Sequence, residues 1–291
     1  GGLSARAALA VHIYVSEGRD AALVARLSSA ARAAGVAVAN EFLDEAYHRA
    51  GVTLASGDAG RLETAAAAVC QEALLALDLR GHAASHPRVG VVDHVACNPL
   101  GAATCEDAGA LAARLGGWLG EGRPRGRPAV PVYLYGAARA DRRPLAELRR
   151  QLGYFGGARR GQWAGLSEDV AAAMRALPPD LGPAEVDRRF GAAVVGAVPW
   201  VANYNLLLTG QAVDQAELMA RCRRVARLAS ARGGGLPAVE TMALPHERGV
   251  EVACNLLDTS ATPAPEVRAR VAQLAAAEGL VLDGDYFTNK Q

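Results

Sequence analysis

The 291-residue chain carries 31 Lys and Arg against 30 Asp and Glu, a formal net charge of +1. That balance excludes the broad basic footprint of a nucleic-acid binder or a polybasic membrane surface, and points to a small or locally charged ligand. With 51% hydrophobic but only 5% aromatic residues, the expected core is alanine-rich helices on valine- and leucine-rich strands, in one large domain or two smaller ones.

Residues 7–16 (AALAVHIYVS) predict a strand, and 17–35 a helix closed by Gly35. Two short strands follow around a polar turn (VAVANEFLD, 36–44; AGVTLAS, 50–56), then an alanine-rich helix over 59–79 and a strand over 88–100 (RVGVVDHVACNPL). The order is β-α-β-β-α-β, the ferredoxin-like or split βαβ arrangement. A helix at 105–121 leads through GRPRGRP (122–128), read as a solvated linker in preference to a binding patch, to a strand from about 130 to 135. Residues 137–190 are the least regular: one short helix at 142–153, a Gly-rich loop GYFGGARRGQW (153–163) and LPPDLGP (177–183). Loops this long in a compact protein are more often functional than idle.

From Gly191 the order repeats: strand 192–208, helix 213–233, strands 237–244 and 249–258, helix 265–279 and strand 280–287. The expected architecture is therefore α/β (α+β): two ferredoxin-like subdomains, 1–190 and 191–291, with helices on the outer faces and the bare sheet faces packed together around a ligand cleft. The uncharged run 190–213 is long enough to span a membrane, but it holds Pro199, Asn203, Asn205 and Gln211 and reads as buried strand. Five cysteines without a CxxC pair read as reduced, buried thiols. The first residues lack methionine and a secretory apolar core. Cytoplasmic placement is expected, with a processed mitochondrial or chloroplast precursor left open.

His82, His86, Asp93 and His94 fall within thirteen residues, so a metal site has to be weighed. Pro87 and Gly81 remove the helical geometry that would pair His82 with His86, and no HExxH or Cys/His spacing accompanies them, so no metal is expected. A general base suits His86 better: Pro87 holds it extended before a strand, and the neighbouring Arg88 suits a substrate carboxylate. On the residues alone, that reading and a merely structural histidine stand level. The glycine-rich segments lack the strand-turn-helix setting of a phosphate loop, and there is no GxSxG. Asn203 and Asn205 share one face of an apolar strand, and either line the cleft as substrate contacts or pair internally.

SHPRVGVVDHV (85–95), VPVYLYGAA (130–138), PDLGP followed by Gly191, GAVPWVANYNLLL (196–208) and VACNLLD (252–258) occur in an order that resembles the formiminotransferase family, the folate-dependent glutamate formimidoyltransferases. AGVT, GGGL and TMAL bring it nearest to the stand-alone, plant-type branch. The resemblance implies two α/β subdomains with facing sheets, and transfer of a formimino group from N-formimino-L-glutamate to N5 of tetrahydrofolate as co-substrate. It places the catalytic histidine of the HPR motif on His86 and the folate-binding segment on Gly182, Pro183, Ala184, Glu185, Val186, Asp187, Arg188, Arg189, Phe190 and Gly191. It implies a homodimer or membership of a larger complex, and no C-terminal cyclodeaminase domain in this chain. Where animal enzymes carry an acidic stretch before Asn-Arg-Thr, this chain has NEFLDEAYHRAG (40–51), with Glu41 or Asp44 nearest in kind. That departure keeps a second reading in view: a non-catalytic folate-binding or structural subunit of a larger assembly.

Overall fold

A computed structural model describes residues 6–122, 126–155, 163–210 and 214–288. Part of the arginine loop (123–125) and most of the Gly-rich loop (156–162) therefore lie outside the described residues. The chain divides into two compact units, 1–199 and 200–291.

In the first unit, strand β1 (Ala8–Val15) alternates cleanly. Leu9, Val11, Ile13 and Val15 enter the core, while Ala10, His12 and Tyr14 take the other face. Helix α1 (Ala21–Ala33) starts where the Asp20 carboxylate accepts the Leu23 N–H at 2.9 Å, and the chain turns at Gly35 with φ +75°. Strands β2 (Ala37–Asp44) and β3 (Arg49–Ser56) form a hairpin, and α2 (Ala59–Ala76) is capped by Asp58. A two-residue strand β4 (Ala83–Ala84) precedes β5 (Val92–Leu100), and α3 (Cys105–Glu121) opens on a Thr104/Asp107 capping box. Then come β6 (Val132–Gly136), α4 (Leu145–Gln151), β7 (Trp163–Ala164), α5 (Glu168–Ala176) and β8 (Ala193–Ala197). Six strands make one sheet in the order β2-β3-β1-β5-β8-β6, while β4 and β7 pair separately. Strands β2, β3, β1 and β5 with α1 and α2 are the ferredoxin-like motif, and β8 and β6 extend it by parallel pairing. Leu23 and Leu27 of α1, Leu62 and Val69 of α2, and Leu111 and Leu115 of α3 share one core with the inward residues of β1.

The second unit is β9 (Ala202–Thr209), α6 (Gln215–Ala229), β10 (Val239–His246), β11 (Gly249–Leu256), α7 (Ala264–Ala277) and β12 (Val281–Phe287). Its antiparallel sheet runs β10-β11-β9-β12, the ferredoxin-like order. Ala202, Tyr204, Leu206 and Leu208 pack with Cys222 and Val225 of α6 and Val267 and Val271 of α7.

Two features depart from the sequence reading. The stretch expected to be irregular holds α5, capped by Ser167. The run expected as one strand over 192–208 is two, split around Pro199, which has no N–H to give a ladder. The Asn98 amide donates to the carbonyls of Val198 and Pro199 at 2.9 and 3.1 Å and fixes that exit. Strand β8 belongs to the six-stranded sheet, and the compact unit that holds it runs through Pro199. All five cysteines are free and four are buried. Burial pushes the thiols of Cys70, Cys222 and Cys254 up to about 12. Among the described residues no helix is long and apolar enough to cross a membrane.

Candidate active site

His86 lies between β4 and β5, partly exposed, in the stretch that Pro87 keeps out of a helix. Its Nδ1 is 2.7 Å from the Pro87 carbonyl oxygen. A carbonyl only accepts, so Nδ1 carries the proton and Nε2 keeps its lone pair. The ring packs tilted against Tyr47 at 5.3 Å and edge-on to Tyr154 at 6.4 Å between centroids. Burial first, then the positive charge of Arg49, with Arg88 and Arg149 adding to it, hold its pKa well below the usual histidine value. At neutral pH this imidazole is uncharged and able to accept a proton at Nε2.

Beneath it is a buried ion pair between β3 and β5. Arg49 donates to Asp93 Oδ2 at 2.5 Å, with the two side chains 8% and 1% exposed. The other oxygen, Asp93 Oδ1, accepts the Val89 N–H at 2.6 Å, so one carboxylate anchors both the strand-borne cation and the backbone just after HPR. Burial alone would lower the Arg49 pKa, but the attraction of Asp93 leaves it raised. Arg49 also lies over the Tyr14 ring at 4.8 Å, and Tyr14 stacks on His94 at 5.7 Å. His94 Nε2 and the Tyr135 hydroxyl share a hydrogen bond at 2.9 Å, as do His12 Nδ1 and Thr53 Oγ1 at 3.0 Å. These groups occupy the sheet face that α1–α3 leave uncovered.

Arg88 differs from its expected role. It is 3% exposed, donates to the His86 carbonyl at 2.5 Å and lies against the His82 ring, and burial pushes its pKa down to about 10. Its Nε has no hydrogen-bond partner among the described residues. A guanidinium so enclosed braces the His86 loop from inside and is not presented to a substrate carboxylate. Arg149 of α4 is better placed for that: it is partly exposed, sits over the Tyr154 ring at 4.7 Å and has no carboxylate partner among the described residues. Neither acidic candidate of 40–51 is presented either, since Glu41 pairs with Arg32 at 2.7 Å and Asp44 is 8% exposed and accepts the Tyr47 N–H at 2.7 Å.

The segment 182–191 is brought to the same loop. Its start is tied to the edge of β6, where Val132 N–H donates to Leu181 at 2.9 Å and Asp180 accepts the Leu134 N–H at 2.7 Å and pairs with Arg143 at 2.8 Å. Its end bridges the HPR tract: Val91 N–H donates to Phe190 at 2.8 Å, Ala192 N–H to Val89 at 2.9 Å, and Gly90 pairs with Gly191. Gly191 has φ +67°, and a Cβ there would run into the Val89 carbonyl. Between these ties Gly182, Ala184, Glu185, Asp187, Arg188 and Arg189 are exposed, while Pro183 and Val186 are half-buried and Phe190 is buried. Asn203 and Asn205 belong to the second unit and pair internally. Asn203 donates to Asn255 at 2.7 Å and Asn205 to Glu251 at 2.9 Å, and Tyr286 also donates to Glu251 at 2.9 Å.

Sequence reasoning missed Arg49, Tyr47, Tyr154 and Arg149. One signal was available: an arginine opening an apolar strand (RAGVTLA, 49–55) must find a buried carboxylate, and Asp93 sits inside the other apolar strand.

The histidines make stability acid-sensitive. Burial, first, holds His12 down at about 4, His82 at about 3 and His94 well below normal. The unfolded chain binds these protons near pH 6.5 and the folded one does not, so stability is complete above 6.5 and falls as the pH drops toward 4. At pH 5 His12 and His82 each cost about 2 kcal/mol, and His94 acts in the same direction. Urea midpoints at pH 7.5 and pH 5 check this, and equal midpoints contradict it.

Fold and centre together define an α+β protein with two ferredoxin-like units and a neutral histidine, set over a buried Arg–Asp pair, that can accept a proton. Residues 8–198 match the sequence profile of the formiminotransferase domain, N-terminal subdomain. The chain is 40% identical over 284 residues, 95% of its length and 91% of the relative's, to a formiminotransferase cyclodeaminase-like protein of Arabidopsis thaliana. It is 29% identical over 253 residues to a glutamate formimidoyltransferase of Thermoplasma acidophilum, covering 85% and 76% of the two chains. With a formimidoyltransferase-cyclodeaminase of Sus scrofa the identity is 30% over 190 residues, 64% of this chain and 32% of the relative's. The chain belongs to the formiminotransferase family.

Proposed function

We propose that the protein transfers a formimino group from N-formimino-L-glutamate to N5 of tetrahydrofolate, with His86 as general base. The observation that carries this reading is the Nδ1–H hydrogen bond to Pro87, which leaves Nε2 as a proton acceptor on an imidazole kept neutral by burial and Arg49. Tetrahydrofolate supplies the nucleophilic nitrogen. His86 Nε2 takes the proton released at that nitrogen as the new C–N bond forms. Arg149 meets a carboxylate of the anionic donor, in the place first given to Arg88, and the positive field of Arg49, Arg88 and Arg149 favours both polyanionic substrates. The segment Gly182–Gly191 contributes a folate-binding surface, supported by its exposed middle and by its attachment beside His86.

A transfer assay with tetrahydrofolate and N-formimino-L-glutamate, run beside N-formyl-L-glutamate, tests this. Transfer from the formimino donor is expected. Calorimetry showing folate binding without turnover of either donor supports the non-catalytic alternative, and preferred transfer from the formyl donor replaces the proposed substrate.

A further inference from the structure

Tyr154 lies in the turn after α4 and is 2% exposed, yet its hydroxyl has no hydrogen-bond partner among the described residues. A phenol buried in this state has given up water without a replacement, which costs about 1–3 kcal/mol and calls for an explanation. Its surroundings supply one. The ring is edge-on to His86 at 6.4 Å, Arg149 lies over it at 4.7 Å, and Asp93, Arg49 and Arg88 all act on the hydroxyl electrostatically. A buried, unpaired hydroxyl on the ring that stands edge-on to a proton-accepting histidine describes a site whose missing hydrogen bond is made by the substrate.

Resting on the transfer reading above, we propose that Tyr154 is the second catalytic group of the site, donating its hydroxyl proton to the departing glutamate nitrogen. The reaction needs such a donor. When the bond between the formimino carbon and the N5 nitrogen forms, a proton leaves N5 for His86 Nε2. When the bond from that carbon to the glutamate nitrogen breaks, the electron pair stays on nitrogen, which leaves as an amine only if it gains a proton. Tyr154 gives that proton, and the imidazolium of His86 returns one to the tyrosinate, directly or through a water. Both groups are then restored and no oxidant or further reactant is used. Burial, first, raises the Tyr154 pKa, so the hydroxyl is protonated at neutral pH, while Arg149, Arg49 and Arg88 ease formation of the transient tyrosinate.

The test is Tyr154→Phe, assayed for turnover, folate affinity by calorimetry, and thermal stability, with the wild-type protein alongside. The expected result is a kcat lower by roughly 100- to 10,000-fold, with folate affinity within about threefold and a melting temperature equal to or above wild type, because the hydroxyl removed was unpaired. Wild-type turnover in Tyr154→Phe overturns the assignment while leaving the transfer reading intact. Loss of turnover accompanied by a lowered melting temperature also overturns it, since that is the signature of a structural hydroxyl. An inactive wild-type protein overturns the transfer reading and this step with it.

Discussion

His86→Ala is expected to lower formimino transfer by roughly 100- to 10,000-fold, the usual range for loss of a positioned general base, while folate affinity stays within a few-fold. The ring is only partly buried and its one hydrogen bond is to the adjacent Pro87 carbonyl, so the substitution removes little that holds the fold. Rate loss without affinity loss is what distinguishes a proton acceptor from a binding residue. Turnover in His86→Ala at the wild-type rate would remove the histidine from the mechanism. His86→Gln serves as a control that keeps side-chain volume and polarity but does not ionise near neutral pH, and it should be as slow as alanine.

Asp93→Ala should be the most destabilising single change near the centre, by about 3–5 kcal/mol, because it leaves a buried guanidinium uncompensated. The same substitution strips the Val89 N–H of its acceptor, loosening the backbone that carries His86. The double variant Arg49→Met with Asp93→Leu removes both charges and should recover most of the lost stability, since an apolar pair of similar volume often replaces a buried ion pair at little cost. It should not recover activity, because Arg49 is the largest nearby charge holding His86 neutral. Chemical denaturation of the two variants decides the stability claim, and a loss under 1 kcal/mol in Asp93→Ala would sink it.

The parts of the fold that follow a strict period were legible. Strand β1, with core residues at every second position, and α2 and α3, with their capping aspartate and Thr104/Asp107 box, lie where periodicity puts them. Strand β8 could not be separated from β9, because the run 192–208 carries no charge and only Pro199 marks the change of sheet. Helix α5 was hidden by the Gly-rich and Pro-rich stretches on either side of it. The extended backbone at His86 was legible because Pro87 restrains it in a way readable in one dimension, whereas the residues alone left a catalytic and a structural ring level. The partners of His86 were not legible: Arg49 and Asp93 are separated by 44 positions and Tyr154 lies 68 beyond His86, and no local rule joins residues that far apart. Arg88 shows the converse failure, since adjacency to a candidate base says nothing of which way a side chain turns.

The place of β8 between β5 and β6 has a consequence for how the chain reaches this structure. Among the described residues strand β6 has β8 as its one neighbour in the sheet, and β8 follows it by roughly 60 residues and so closes a long loop at an entropic cost. The antiparallel set of β1, β2, β3 and β5 can assemble as soon as it is made, whereas β6, α4 and Tyr154 must wait for the strand that joins them to it. The histidine and the tyrosine that faces it therefore come from early and late parts of the folding sequence, and a pulse of hydrogen exchange during refolding should find β1 and β5 protected before β6.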